Sequence, residues 1–94
     1  MREIRHRLRG ELILRRDREE LVIHDPIGDH THLLNRTAAR VAELCDGRHT
    51  MREIGAILER EFPVALTDEV DLVDEATAIV AELKRAGLVE ETGA

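Results

Sequence analysis

Two short apolar runs, Leu12-Ile13-Leu14 and Leu21-Val22-Ile23, flank the charged stretch Arg15 to Glu20, and this pattern constrains the chain more than any other. Runs of three apolar residues are too short for helices and read as strands, with the charged stretch as a hairpin loop and Asp17 as its turn residue. Asp25-Pro26-Ile27-Gly28-Asp29 supplies a second turn, because proline fixes φ at one corner and Gly28 is free to take a positive φ at another. A third strand, His30 to Leu34, follows. The N-terminal half of the chain is therefore expected to form a three-stranded antiparallel sheet.

The apolar period changes at Asn35, whose side chain is suited to cap a helix carrying Ala38, Val41, Ala42 and Cys45 on one face, with Gly47 as its left-handed stop. Thr50-Met51-Arg52-Glu53 has the spacing of a capping box, in which hydroxyl and carboxylate each satisfy a backbone donor at a helix start. The second helix then runs from Met51 to about Phe62, with Ile54, Ile57, Leu58 and Phe62 at helical spacing and Pro63 ending it. A third helix is expected from Thr67 or Asp68 to Ala86, closed by Gly87, with acids at its positive end and Lys84 and Arg85 at its negative end. Leu88-Val89 forms a short last strand, and residues 1 to 9 and 90 to 94 are expected to fray. The sum is one α+β domain over residues 1–94, with a core from about 11 to 89. Its arrangement is winged helix-turn-helix-like: a three-stranded N-terminal sheet followed by three helices.

At 94 residues and 43% hydrophobic, the chain has room for a single small core and little for a deep catalytic cavity. A binding module is the natural reading. Residues 1 to 20 carry seven Arg against five acids, so the formal charge of −6 leaves the rest of the chain at −8. Such a body repels nucleic-acid backbones and anionic lipid. Phe62 is the sole aromatic residue, which removes the stacking platforms of single-strand binders. Cys45 is alone and reads as a small buried hydrophobe; no apolar run exceeds Ala78 to Ala81, so a cytoplasmic chain without membrane contact is expected. With no phosphate loop, nucleophile motif or carboxylate pair in a cleft, neither an enzyme nor a cofactor is expected.

The winged-helix pattern raises a rival reading as a regulatory or DNA-binding domain, with the third helix in the major groove. Its first turns hold Asp68, Glu69, Asp71, Asp74 and Glu75 and no base, the wrong charge for that role. His30 and His32 share one strand face, and Asp29 or His24 stands near in sequence. Two histidines fall short of a four-ligand zinc set, so they read as ordinary strand-edge residues and no metal site is expected.

Leu34-Asn35-x-x-Ala38-Ala39, then Leu44-Cys45-Asp46-Gly47-x-x-Thr50-x-x-Glu53-Ile54, resembles the signature of the pyrroloquinoline quinone biosynthesis protein D (PqqD) family. The likeness extends from about Leu12 to Val89, with Asp25-Pro26-x-Gly28 before the third strand and Leu83-x-x-x-Gly87-Leu88-Val89 at the end. The resemblance implies a non-catalytic peptide chaperone, a precursor-peptide recognition element. It would hold the leader of a ribosomally made precursor peptide and present it to a modifying enzyme, often a radical SAM protein, with pyrroloquinoline quinone biosynthesis as one setting. Two features depart from similar proteins: Ile27 where they often carry Glu, and the polar His30-Thr31-His32 in the third strand.

The resemblance further implies that the leader lies as an added strand beside His30–Leu34, in a groove walled by the third helix. Strand addition draws affinity from main-chain hydrogen bonds and specificity from alternate side chains. Thr31, His32, Leu33 and Leu34 are the expected strand contacts, and Val73, Thr77, Val80, Leu83 and Lys84 the expected wall. Positions 73, 77, 80 and 84 form one helical stripe, while Leu72, Ala76, Ile79 and Leu83 form the core stripe. On that reading Val80→Asp weakens binding without unfolding the domain, and Ile79→Asp unfolds it. A free strand edge would also allow a homodimer in the absence of peptide.

Overall fold

A computed structural model describes residues 4–62 and 72–92. Strands β1 (Arg5–Leu8), β2 (Ile13–Asp17), β3 (Glu20–Asp25) and β4 (His30–Leu34) precede helix α1 (Arg36–Leu44). Strand β5 (Asp46–Thr50), helices α2 (Met51–Glu61) and α3 (Leu72–Arg85), and strand β6 (Val89–Glu91) follow. The expected sheet is an antiparallel meander in the order β2-β3-β4, and with the helices behind it the molecule is α+β as anticipated.

The hairpin is tighter than its charge suggested. β2 runs through Arg15 and Arg16 to Asp17, which pairs with Glu20, leaving Arg18 and Glu19 as the turn. Charged residues fit in this strand because every residue of β2 is exposed. At the second turn the Asp25 carboxylate accepts the N–H groups of Ile27 (3.0 Å) and Gly28 (3.3 Å). The positive φ expected at Gly28 falls instead on Asp29, at 54°. An aspartate tolerates this conformation better than most side chains.

Helix α1 is capped as expected, Asn35 Oδ1 accepting the Ala38 N–H at 2.9 Å. It stops at Leu44 with Cys45 as its C-cap, so Gly47 does not end the helix. Gly47 has a φ of 81° inside β5, whose register with β1 shifts between Arg5 and Arg7. The capping box at α2 is complete: the Thr50 N–H donates to Glu53 Oε1 at 2.8 Å, and the Glu53 N–H to Thr50 Oγ1 at 3.2 Å. At the end of α3, Leu88 N–H donates to Leu83 O (2.9 Å) and Gly87 N–H to Lys84 O (3.0 Å), the paired bonds of a Schellman stop with Gly87 at φ 76°. The expected start of the third helix at Thr67 or Asp68, with Asp68, Glu69 and Asp71, lies outside the described residues.

A second three-stranded sheet, β5-β1-β6, was not expected. Residues 5 to 8 do not fray: β1 is the central strand, antiparallel to both neighbours, with His6 opposite Glu91 and Leu8 opposite Val89. Its backbone is held on two sides, which outweighs the charge of its arginines. Arg9 links the two sheets. Its guanidinium donates to Asp25 Oδ2 at 3.2 Å, to Asp25 Oδ1 at 3.4 Å and to the Gly87 carbonyl at 2.6 Å.

The core joins Leu21 and Ile23 of β3 to Val41, Ile54, Leu58, Leu72, Ala76, Val80, Leu83 and Leu88. Each Val, Leu or Ile among them contributes roughly 1.5–3 kcal/mol by leaving water. Helices α2 and α3 cross closely at Gly55, where a Cβ would lie 2.9 Å from Val73 Cα. No helix among the described residues is long and apolar enough to cross a membrane.

Candidate functional site: a free strand edge and a helix-lined concavity

Strand β4 is an edge. It pairs with β3 through Leu34↔Leu21, Leu33↔Val22, His32↔Ile23, Thr31↔His24 and His30↔Asp25, and no described strand takes its other side. An edge strand presents a row of main-chain donors and acceptors to any extended chain that comes alongside. Alternation sends His30, His32 and Leu34 to the core side with Ile23, while Thr31 and Leu33 face outward. Leu33 is 63% exposed. Its cross-strand partner is Val22, and Ile13, on the same outer face of β2, is also exposed. The outer face thus carries an apolar strip that ends at the open edge.

The histidines lie within this strand pair. The His30 and His32 rings are 6.5 Å apart between centroids, and His24 Nδ1 lies 3.1 Å from Thr31 Oγ1. Among the described residues no group of three potential ligands converges to hold a metal.

The helical half of the expected site divides. Thr77, Val80 and Lys84 line a concavity of about 200 Å³ together with Ala81, His6 of β1 and Met51 of α2. Val73 is drawn away into the crossing with Gly55, and Leu83 is 3% exposed in the core. Val80 is also 3% exposed, so the expected exposed position there is corrected. The buried stripe is Leu72, Ala76, Val80 and Leu83, and Ile79 is only partly buried beside it. Each stripe offers apolar residues, Val73 and Val80 in one and Leu72, Ala76, Ile79 and Leu83 in the other, and the neighbours on each side decide between them: α3 packs on α2, α1 and β6. None of the β4 residues lines the concavity, so the two halves do not share one cavity among the described residues.

Sequence reasoning missed His6 and Met51 as parts of this wall. The signal for His6 was present, since Arg5, Arg7 and Arg9 alternate with His6 and Leu8 at the period of a strand. Burial lowers the His6 pKa against the opposing pull of Glu91, with Lys84 adding to the decrease. His6 therefore favours its neutral form. Lys84 is held by Glu91 at 3.0 Å, which keeps its ammonium at the rim. Cys45 is buried, and burial together with Asp46 pushes its thiol up to about 12, so it is an inert core residue.

The sequence profile of the family Coenzyme PQQ synthesis protein D (PqqD) matches residues 20–89. Among solved structures the fold is similar to "Lasso peptide synthetase B1 complexed with the leader peptide", with a TM-score of 0.75 and 24% identity, covering 90% of this chain and 96% of that one. It is also similar to "TbiB1 in Complex with the TbiA(beta) Leader Peptide", with a TM-score of 0.73 and 15% identity over 89% and 94% of the two chains. A third likeness, to the heterocyclase TruD, has a TM-score of 0.64 and 11% identity over 98% of this chain but 12% of that protein. Compared with the curated proteins, the chain matches none. At these identities the structural likenesses speak for a shared fold, and the profile, spanning most of the chain from β3 to β6, speaks for descent. This chain belongs to the coenzyme PQQ synthesis protein D family.

Proposed function

We propose that this protein binds the leader segment of a ribosomally made precursor peptide as a fourth strand on β4 and presents it to a modifying enzyme, taking no part in the chemistry itself. The observation that carries the reading is the edge of β4, which no described strand covers, in a member of this family. Two proteins of similar fold, in the structures named above, are complexed with leader peptides. Thr31, His32, Leu33 and Leu34 supply the edge. Of the helical wall, Thr77, Val80 and Lys84 border the concavity, whereas Val73 and Leu83 support it from within. The modifying enzyme belongs on this reading to the radical SAM class, and coenzyme PQQ synthesis is one pathway that fits. Without peptide, the same edge is free to pair with a second copy.

The test is a titration of the isotope-labelled domain with the leader encoded beside its gene, followed by amide exchange. Binding at tens of micromolar or tighter is expected, with alternate N–H groups of residues 30 to 34 becoming protected. Absence of binding overturns the reading, and binding that leaves the β4 amides unprotected overturns strand addition.

A further inference from the structure

The β2–β3 turn, α1 and the end of α2 enclose a cleft of about 230 Å³ lined by four arginines, three glutamates and Phe62. Two of the arginines are engaged. Arg40 grips Glu61 with two bonds of 2.6 and 2.8 Å, and Arg16 is paired with Glu43. Those pairs tie α1 to α2 and β2 to α1.

The other two arginines are presented rather than engaged. The Arg36 guanidinium lies over the Phe62 ring at 4.6 Å, and its ion pair with Glu19 is long, at 3.8 Å between two exposed side chains. Stacking on a ring fixes the guanidinium plane and leaves its edge donors open. Arg18 makes no hydrogen bond or ion pair among the described residues, yet it occupies the first turn position with a φ of 59°. Glycine is the residue that takes this conformation without cost, so a side chain there is held against the backbone's preference. A strained position that carries an unpaired cation into a cleft points to a ligand.

We infer that Arg18 and Arg36 form a subsite for a single side-chain carboxylate of a polypeptide ligand. With four guanidinium groups facing three carboxylates, the cleft has one positive charge to spare, which matches a monoanion and under-neutralises a phosphate dianion. Phe62 offers an apolar wall for the methylene stem of a glutamate, and Glu19, exposed at the rim, is displaced when the ligand carboxylate arrives. The subsite goes beyond the strand-addition reading and does not depend on it.

The experiment follows the arginine Nε–Hε signals of the intact domain by NMR while three probes are added: N-acetyl-Gly-Glu-Gly-amide, its glutamine counterpart, and inorganic phosphate. The glutamate peptide is expected to move the Arg18 and Arg36 signals saturably at millimolar concentration, at least tenfold more tightly than either other probe. Arg36→Gln and Arg18→Gln should each weaken that binding about tenfold. Arg18→Gly is the folding control, since it relieves the turn and should keep or raise the melting temperature while losing the peptide. Equal titration by the glutamine peptide overturns the inference, as does tighter binding of phosphate, or a response that survives in Arg18→Gly. The β4 amides should stay unmoved throughout, so this subsite and strand addition stand or fall separately.

Discussion

The two sheets of this domain are built in opposite ways. The β2-β3-β4 meander is made of neighbours in sequence joined by tight turns, and it ends in an edge that no described strand covers. The β5-β1-β6 sheet gathers three distant pieces of the chain around β1 and is sewn to the first sheet by Arg9. Local pairing forms cheaply because little chain entropy is lost in closing a short loop. A sheet that assembles locally can leave one edge free for a partner, whereas a sheet built from distant segments must use its pairing to hold the fold.

The largest effect that bears on this contrast is expected at Ile23, which is fully buried in β3. Ile23→Ala should cost about 2–5 kcal/mol in chemical denaturation, because transfer and cavity costs add. A loss under about 1 kcal/mol would mean that the meander is an appendage and not part of the core. Next in size is Arg9→Met, which cuts the link between the sheets. Burial pushes the Asp25 carboxyl up, but the Gly28 N–H, the Arg9 guanidinium and the Ile27 N–H outweigh it and hold it below its ordinary value. A depressed carboxyl contributes stability above its unfolded pKa and loses it as pH falls through the folded value. Glu11, which Arg9 also holds at 2.7 Å, is lowered in the same way, so the gap in melting temperature between the parent and Arg9→Met should be widest at neutral pH and narrow below about pH 4 to the share that the Gly87 bond contributes. Parallel curves down to pH 2 would show that Arg9 acts through Gly87 alone.

The helix caps sharpen the comparison at about 1 kcal/mol each. Asn35→Ala and Thr50→Ala should destabilise by similar amounts, yet hydrogen exchange should separate them. Thr50 is also the last residue of β5, where its backbone pairs with Arg5, so loosening the cap there should speed exchange in β1 and β5, and the loss of Asn35 should leave those strands protected. Identical exchange patterns would erase the distinction between the sheets. The smallest effect belongs to Leu33→Thr, within roughly 0.5 kcal/mol in stability because the side chain is mostly in water. A destabilisation of 2 kcal/mol would show that the outer strip is already covered in the free protein.

What was legible in the sequence follows the same division. The hairpin runs, the Asn35 cap, the Thr50–Glu53 box and the Gly87 stop each involve groups a few residues apart, so residue type and spacing are enough to find them. In sequence β1 reads as a fraying end because its partners, Thr50 and Glu91, are remote, and only its alternation hints at a strand. The edge segment of the site was legible as a strand. The wall was half legible: Thr77, Val80 and Lys84 do share a surface, but Val80 was placed in solvent and Val73 against ligand. Both stripes of α3 offer apolar residues, and periodicity does not reveal that Gly55 lets α2 approach Val73 closely enough to fix the helix's rotation.

The Thr92 N–H donates to the Arg5 carbonyl at 2.8 Å, so the start of β1 and the end of β6 lie side by side. A unit with that property behaves like a tool on a handle: it can be spliced into a surface loop of a host protein without stretching either. The match of 98% of this chain to 12% of a much larger heterocyclase is what such portability looks like when a fold of this kind is carried as a segment of another protein.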